Sequence, residues 1–307
     1  MSASSRPAAR PARPLLSPPP LRPGERVGLV AASSALGDPD RLEQGVAVLE
    51  DWGLVVERPF DPGRRWGYLA GDDRQRRNDL EAPARLLACV RGGWGSARLL
   101  EQPFSAQAGW FLGYSDVTSL LWARLAQGLG GGIHGPMVTS LASEPEWSQQ
   151  RLRALLFGEP LPPLQGEPWQ SGVAEGPLLV ANLTVATHLL GTPFLPPLAG
   201  AVLILEDVGE APYRIERLLT HWRLCGALQQ LAGLGFGSFL DCDDPAESSE
   251  PPQHRFSLEQ VLRERTADLG IPVVGRLPVG HAPGNGALPL GRLARLDGAS
   301  GRLSLSP

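Results

Sequence analysis

Short apolar runs alternate with longer amphipathic ones from Arg26 onward. RVGLV reads as a first strand, with the small residues AASS as a loop at its carboxyl end. DRLEQGVAVLEDWGL then spaces Leu42, Val46, Val48 and Leu49 as on one helical face and closes at Gly53. VVERPF reads as a strand, Asp72 to Leu87 as a helix and LLACV as a strand followed by RGGWG, with a helix starting at Ser96. GWFLG is a further strand, followed by YSD and a helix, and GIHGPMV one more strand or loop. Strands alternating with helices predict a parallel sheet covered on both faces.

The text changes between about 145 and 175, where a short helix gives way to a Pro-, Gly- and Gln-rich run that reads as a linker. Beyond Glu175, PLLVANLTVATHLL, AVLILEDVGE, a helix through SLEQVLRERTADLG and the strand IPVVG return to the α/β pattern. GRLARLDGASGRLSLS alternates like a terminal hairpin. The predicted fold class is α/β. An N-terminal open parallel-sheet, Rossmann-like domain (23–145) is followed by the linker (146–174). A smaller C-terminal α/β domain (175–307) has mainly β elements at its end. Residues 1–22, rich in Arg and Pro without a continuous apolar core, read as a disordered tail.

Composition narrows the chemistry. Among 307 residues the 28 basic ones are all arginine, which removes lysine bases, Schiff bases and a P-loop lysine. A net charge of −4 offers no steering toward nucleic acid or a membrane surface. Cys89, Cys225 and Cys242 form no paired framework, which favours a reducing compartment, and Cys89 reads as a small core residue. Metal-binding spacings such as HExxH are missing, so no metal or other cofactor is expected. GLGFGS at 233–238 is a lone glycine-rich run and a weak phosphate loop.

Open α/β sheets place their sites beyond the carboxyl ends of strands, and both RGGWG and GYSD occupy that position. Ser115, at a strand-to-helix hinge, is either a helix cap with Asp116 beside the dipole or an exposed nucleophile. Val117 stands where a G-x-S-x-G elbow has its second glycine. A nucleophilic serine needs a base. His281, in a Gly/Pro loop directly after an apolar strand, is favoured over His134, which could touch substrate. His188 reads as core or helix surface, His221 as a charge answering the dipole in the last turn of a helix, and His254 as part of an exposed loop. Glu206 is nearest the end of a buried strand and best placed to orient an imidazole. Asp207 and Glu210 fit solvated or helix-start charges. Gly92 or Gly93, in a loop without side chains, and Asp116 could offer backbone N–H groups to an oxyanion, although a plain turn explains the glycine pair as well.

RGGWGSARLL, GYSDVTSL, HGPM, LLGTPF, LILEDVGEAPYRIERLL and PVGHAPGNGALPLG occur in that order. Together they resemble the LD-carboxypeptidases, the group of muramoyl-tetrapeptide carboxypeptidases and microcin C immunity peptidases, over about residues 21–305. The resemblance implies a triad of Ser115, Glu206 and His281 and an oxyanion hole at the N–H groups of Gly92 and Asp116. It implies a cytoplasmic, commonly homodimeric serine peptidase that releases D-alanine from murein tetrapeptides during peptidoglycan recycling. Where the family often has Gly-Gly-Asn-Leu, this chain has Val180-Ala181-Asn182-Leu183. Its first strand ends AASS where a proline is usual. Three rivals remain at this point. One is the same triad on another substrate, such as a microcin-type peptidyl-adenylate. Another is a peptide-binding protein without turnover. The third is an ordinary esterase.

Overall fold

In the computed structural model, residues 12–58, 61–243 and 254–306 are described. The first half runs β1 (Arg26–Val30), α1 (Pro39–Asp51), β2 (Val55–Glu57), α2 (Asp73–Asp79), β3 (Leu86–Cys89), β4 (Trp110–Gly113), α3 (Thr118–Ala126), β5 (Gly132–His134) and α4 (Val138–Leu141). Then come α5 (Glu146–Phe157), β6 (Leu164–Gln165), β7 (Glu167–Gln170), β8 (Val173–Asn182), α6 (Leu183–Leu189), β9 (Val202–Val208) and α7 (Pro212–Leu224). The chain ends with β10 (Gly233–Leu240), α8 (Leu258–Thr266), β11 (Val273–Gly275), β12 (Leu288–Pro289), β13 (Leu293–Asp297) and β14 (Arg302–Leu305).

Among the described residues the strands form two sheets. The first has six strands in the order β12-β5-β4-β3-β1-β2, the second eight in the order β6-β14-β13-β8-β9-β10-β11-β7. Strands β2, β1, β3, β4 and β5 are parallel, as are β8, β9, β10 and β11. Strand β13 pairs antiparallel with β14 as the expected terminal hairpin. The α/β class read from the alternation of periods is the class observed. One pairing crosses the halves: β12, from the end of the chain, adds antiparallel to β5, with Leu288 opposite His134.

Local chemistry explains the elements. Asp38 caps α1 by accepting from the N–H groups of Asp40 and Arg41, Pro39 sits where a missing N–H costs nothing, and Leu42, Val46 and Leu49 form the buried stripe. Ser257 and Gln260 form a capping box on α8. One buried cluster runs through both halves, joining Phe111 and Leu121 to Val180, Leu203 and Phe236. Trp122 lies at its centre, fully buried. Its indole N–H donates to the Val180 carbonyl at 3.0 Å and its ring meets Trp222 edge-on at 6.3 Å. Emptying such a site typically costs about 3–5 kcal/mol.

Three expectations are corrected. The helix read over Asp72 to Leu87 stops at Asp79. Pro83 lies just beyond, and a proline and its predecessor both resist helical continuation. The helix expected from Ser96 is one 3₁₀ segment, Ala97–Glu101, cut short before Pro103. Between 146 and 174 the expected short helix is α5, but the Pro-, Gly- and Gln-rich run after it contributes two edge strands, β6 against β14 and β7 against β11. Edge strands tolerate the prolines and glycines that made this stretch look unstructured. The weak phosphate loop at 233–238 lies in strand β10, where Leu234 and Phe236 are fully buried.

The expected disordered tail divides. Residues 1–11 lie outside the described residues. Residues 12–22 run along the surface as an extended strap. The Ala12 N–H donates to Ala199, Leu15 to Gly291 and Leu21 to Leu156, and the Trp110 indole donates to Pro19. These contacts lie at the amino ends of β4 and β9, at the opposite end of the sheets from GYSD.

Candidate active site

Strand β4 ends at Gly113 and the chain turns sharply through Tyr114 and Ser115 into a 3₁₀ turn, Ser115–Val117, and then α3. Ser115 has φ +60, in the left-handed region. A non-glycine residue there costs about 1–3 kcal/mol and persists only where its surroundings hold it. The hydroxyl caps no helix: neither the 3₁₀ turn nor α3 has a side-chain cap, and the N-cap of α3 is Val117. It points instead to His281, whose Nε2 lies 3.1 Å from Ser115 Oγ. On the far side of the ring, His281 Nδ1 lies 2.6 Å from Glu206 Oε2. A serine, an imidazole and a carboxylate, far apart in sequence, thus form one hydrogen-bonded chain.

Asp116 explains why an acid follows the serine. Its carboxylate faces inward, with 2% of the residue exposed. Oδ2 accepts from Ser33 Oγ at 2.6 Å and from the Ser96 N–H at 2.8 Å, while Ser96 Oγ donates to the Asp116 carbonyl at 2.6 Å. The turn is therefore bolted to the loops that follow β1 and β3. Ser33 was not singled out from the sequence and Ser96 only as a helix start; isolated serines after strands carry no spacing signal. Gly92 approaches the nucleophile from the β3 loop. A Cβ there would lie 3.0 Å from Ser115 Cβ and 3.1 Å from Oγ, so any side chain would crowd the nucleophile and force it to shift.

Glu206 lies near the carboxyl end of β9, directly before the last buried position of the strand, and is itself fully buried. Burial alone would push its carboxyl up, but the imidazoles of His134 and His281 outweigh it and hold Glu206 below the usual carboxylate range. Burial likewise depresses His281, yet the hydrogen bond and the charge of Glu206, with Asp207 behind, bring its pKa above the ordinary histidine value. Gly280, with φ +119, lets the chain pass over the carboxylate: a Cβ there would come within 2.7 Å of Glu206 Oε2.

His134, considered from sequence as a substrate contact, is wholly buried. Its Nε2 lies 3.9 Å from Glu206 Oε1, beyond hydrogen-bond reach but close enough for charge to be felt, and its ring meets Tyr114 edge-on at 5.7 Å. It backs the carboxylate rather than facing the cleft. Asp207 is also corrected. It is not a solvated loop charge but a buried carboxylate, 2% exposed, accepting from Asn182 Nδ2, the Thr184 N–H and Thr184 Oγ1 at 2.8–2.9 Å. Glu210 behaves as expected, pairing with Arg214 at 3.4 Å.

Asn182 accounts for itself in the same network. Its Oδ1 caps α6 through the Val185 N–H, and its own N–H donates to Thr118 Oγ1 on α3 at 3.1 Å. Val180 and Ala181, at the departure from the family's glycines, lie fully buried inside β8. Their side chains pack in the core.

The His281 loop is held from within and by two other segments. The Gly280 N–H donates to Asn285 Oδ1, and the Ala282 N–H to Ser238 Oγ. Glu144 Oε2 accepts from the N–H groups of Gly284 and Asn285 at 2.9 and 3.0 Å, and Ser148 Oγ donates to the Asn285 carbonyl. Pairing of β12 with β5 then delivers the loop beside β4 and its serine. The Tyr114 ring packs against His281 with centres 4.9 Å apart and planes inclined by 60°.

Ser115 and His281 open onto a cleft of about 570 Å³, lined also by Arg41, Arg91, Gly92, Tyr114 and Met137. A second cavity, of about 460 Å³, lies behind the loop against Trp169, Phe236 and Ala282; none of the three chained residues lines it. No group of three or more His, Cys, Asp or Glu side chains among the described residues could hold a metal ion. No helix among them is long and apolar enough to cross a membrane.

Two family models match this chain. That of the LD-carboxypeptidase N-terminal domain covers residues 27–135 and that of the C-terminal domain residues 175–296. A Synechocystis protein named provisionally as a carboxypeptidase is 46% identical over 94% of this chain and 97% of its own length. The murein tetrapeptide carboxypeptidase of Pseudomonas aeruginosa is 34% identical over 89% of this chain and 93% of its own. The crystal structure of muramoyltetrapeptide carboxypeptidase from Oxalobacter formigenes superposes with a TM-score of 0.80 at 25% identity, covering 91% of this chain and 97% of that one. The microcin C7 self-immunity protein shares the fold at a TM-score of 0.82 and 21% identity, over 96% of this chain and 99% of its own.

Proposed function

Because the chain belongs to the LD-carboxypeptidase family, we propose that it is a serine L,D-carboxypeptidase acting on murein tetrapeptides in peptidoglycan recycling. The observation that carries this reading is the hydrogen-bonded chain Ser115–His281–Glu206, opening at its serine end onto the cleft. Its P. aeruginosa relative is named for that substrate.

Serine is a weak nucleophile until a base removes its proton. His281 Nε2 takes the Ser115 proton as Oγ attacks the carbonyl carbon of the bond to the terminal D-alanine. Negative charge gathers on the carbonyl oxygen, where the N–H groups of Gly92 and Asp116 receive it. Losing one such donor costs about 10²–10³ in rate in comparable sites. Glu206 holds the imidazole in the tautomer that accepts at Nε2 and stabilises the imidazolium that forms. His281 passes the proton to the departing amine, the C–N bond breaks, D-alanine leaves, and the acyl group stays as an ester on Ser115 Oγ. Water, deprotonated by His281, then attacks the ester and restores the serine.

The test is D-alanine release from a purified murein tetrapeptide ending in D-alanine, with Ser115→Ala as control. Wild type should release it, and the variant should fall by on the order of 10⁵–10⁶ in kcat. A folded wild-type protein that releases none sinks the substrate assignment.

A further inference from the structure

We infer that Arg91 is the residue that grips the substrate's terminal carboxylate. The inference rests on the carboxypeptidase reading above. An enzyme that removes a terminal residue must recognise a carboxylate one residue beyond the bond it cuts. With no lysine in the chain, only arginine can supply a fixed positive charge. Arg41 and Arg91 are the two arginines among the described residues that line the cleft with Ser115.

Arg91 is the better placed and the better held. It directly precedes Gly92, whose backbone comes so close to the serine that a Cβ there would lie 3.1 Å from Oγ. One residue of extended chain spans at most about 3.6 Å. A carboxylate one residue past the reacting carbonyl therefore falls in the immediate neighbourhood of the loop that carries Arg91. The Arg91 guanidinium is anchored at one end, where Nη1 donates to the Ala35 carbonyl at 2.9 Å. That bond fixes the fork while using one of its five donors. No described carboxylate lies within ion-pair distance of it, although the group is half-buried. A planar fork in this state matches a carboxylate in two parallel hydrogen bonds.

The other cations fit less well. Arg41 sits on the exposed first turn of α1, and its guanidinium has only a 3.5 Å contact with Ser143 Oγ. Arg214 pairs with Glu210 and does not line the cleft. Asp38 lines the cleft too, but its carboxylate is engaged in capping α1.

The experiment compares a murein tetrapeptide ending in D-alanine with the same peptide ending in D-alaninamide. Wild type, Arg91→Gln, Arg91→Lys and Arg41→Gln are each assayed on both. A fluorophosphonate, which carries no carboxylate, reports in each variant whether the fold and Ser115 are intact. The expected result is that wild type prefers the acid. Arg91→Gln should raise KM for the acid by about 10- to 100-fold, the range of a charge-assisted pair, and abolish the preference. Arg91→Lys, which keeps the charge without the fork, should retain part of it and serves if the glutamine variant fails to label. If wild type cleaves neither peptide, the substrate assignment fails by itself. Protection of Ser115 from the fluorophosphonate by the acid, compared with the amide, then reads the same preference. A wild type indifferent to the terminus, an Arg91→Gln that keeps the preference, or its loss in Arg41→Gln alone would overturn the assignment.

Discussion

Two walls face each other across the cleft, and they are held differently. The serine wall is a turn off β4 secured within the first sheet: Asp116 ties it to Ser33 after β1 and to Ser96 after β3. The histidine wall is a loop secured by borrowed contacts. Ser238 comes from β10, Glu144 from the turn after α4, Ser148 from α5, and β12 leans on the first sheet. Ser115 is held at φ +60 by a turn whose anchors, Ser33 and Ser96, follow strands of its own sheet. His281 depends on how the two halves dock. The serine wall should therefore survive small shifts between the halves, whereas the distance from His281 to Ser115 should not.

The strongest way to sharpen that contrast is to remove the charge that joins the walls from behind. Glu206→Gln leaves the shape and takes away the negative charge at the 2.6 Å contact. It should lower kcat by about 10⁴, the cost of the matching change in other triads. The pH profile should move with it. His281 must be neutral to accept the serine proton, so activity falls as pH drops through its pKa. Glu206 raises that value above the ordinary histidine range, so the acid limb of kcat/KM should lie above about pH 6.5. In Glu206→Gln the favourable charge is gone and burial still disfavours imidazolium, so the limb should shift to lower pH. An unshifted limb would mean that another group controls it.

A smaller effect should come from the loop's own anchor. Glu144→Gln weakens two charge-assisted hydrogen bonds to Gly284 and Asn285 without touching the triad. Loss of about 1–3 kcal/mol of anchoring lets the loop sample positions in which His281 is out of line. Because small misplacements of reacting groups are costly, kcat should fall roughly 10-fold with KM little changed. Fluorophosphonate labelling of Ser115 should slow in parallel. Unchanged kcat would show that β12, Ser238 and Ser148 suffice to hold the loop.

The same contrast governs what could be read in advance. The serine wall is made of consecutive residues, GYSD after an apolar strand, and such local strings are visible in a sequence. Glu206 and His281 could be ranked because each ends an apolar run. Their mutual distance could not be read, since it depends on β12 pairing with β5. Asp207 was misread because an acid after a strand resembles a loop charge. Its partners, Asn182 and Thr184, lie 25 and 23 residues away and are brought to it only by the pairing of β8 with β9. The 146–174 stretch was misread because proline and glycine mark edge strands as readily as linkers. Glu144, just before it, carries no motif at all.

The strap offers the weakest perturbation of activity and tests how far docking tolerates change. Residues 12–22 reach both halves, with Ala12 on Ala199, Leu15 on Gly291, Leu21 on Leu156 and Pro19 on Trp110. All four contacts lie away from the carboxyl ends where the triad meets. Leu21 is 3% exposed, and burying such a side chain contributes about 1.5–3 kcal/mol. Deleting residues 1–22 should therefore lower Tm by roughly 4–8 °C, at about 2–4 °C per kcal/mol for chains of 150–250 residues and somewhat less for this longer one. Turnover at temperatures well below Tm should stay at the wild-type level, because α3 still meets β8 through the Trp122 indole on Val180 and the Asn182 N–H on Thr118. A fall in kcat with Tm unchanged would mean that the strap, rather than this central contact, sets the angle between the halves and with it the reach of His281 to Ser115.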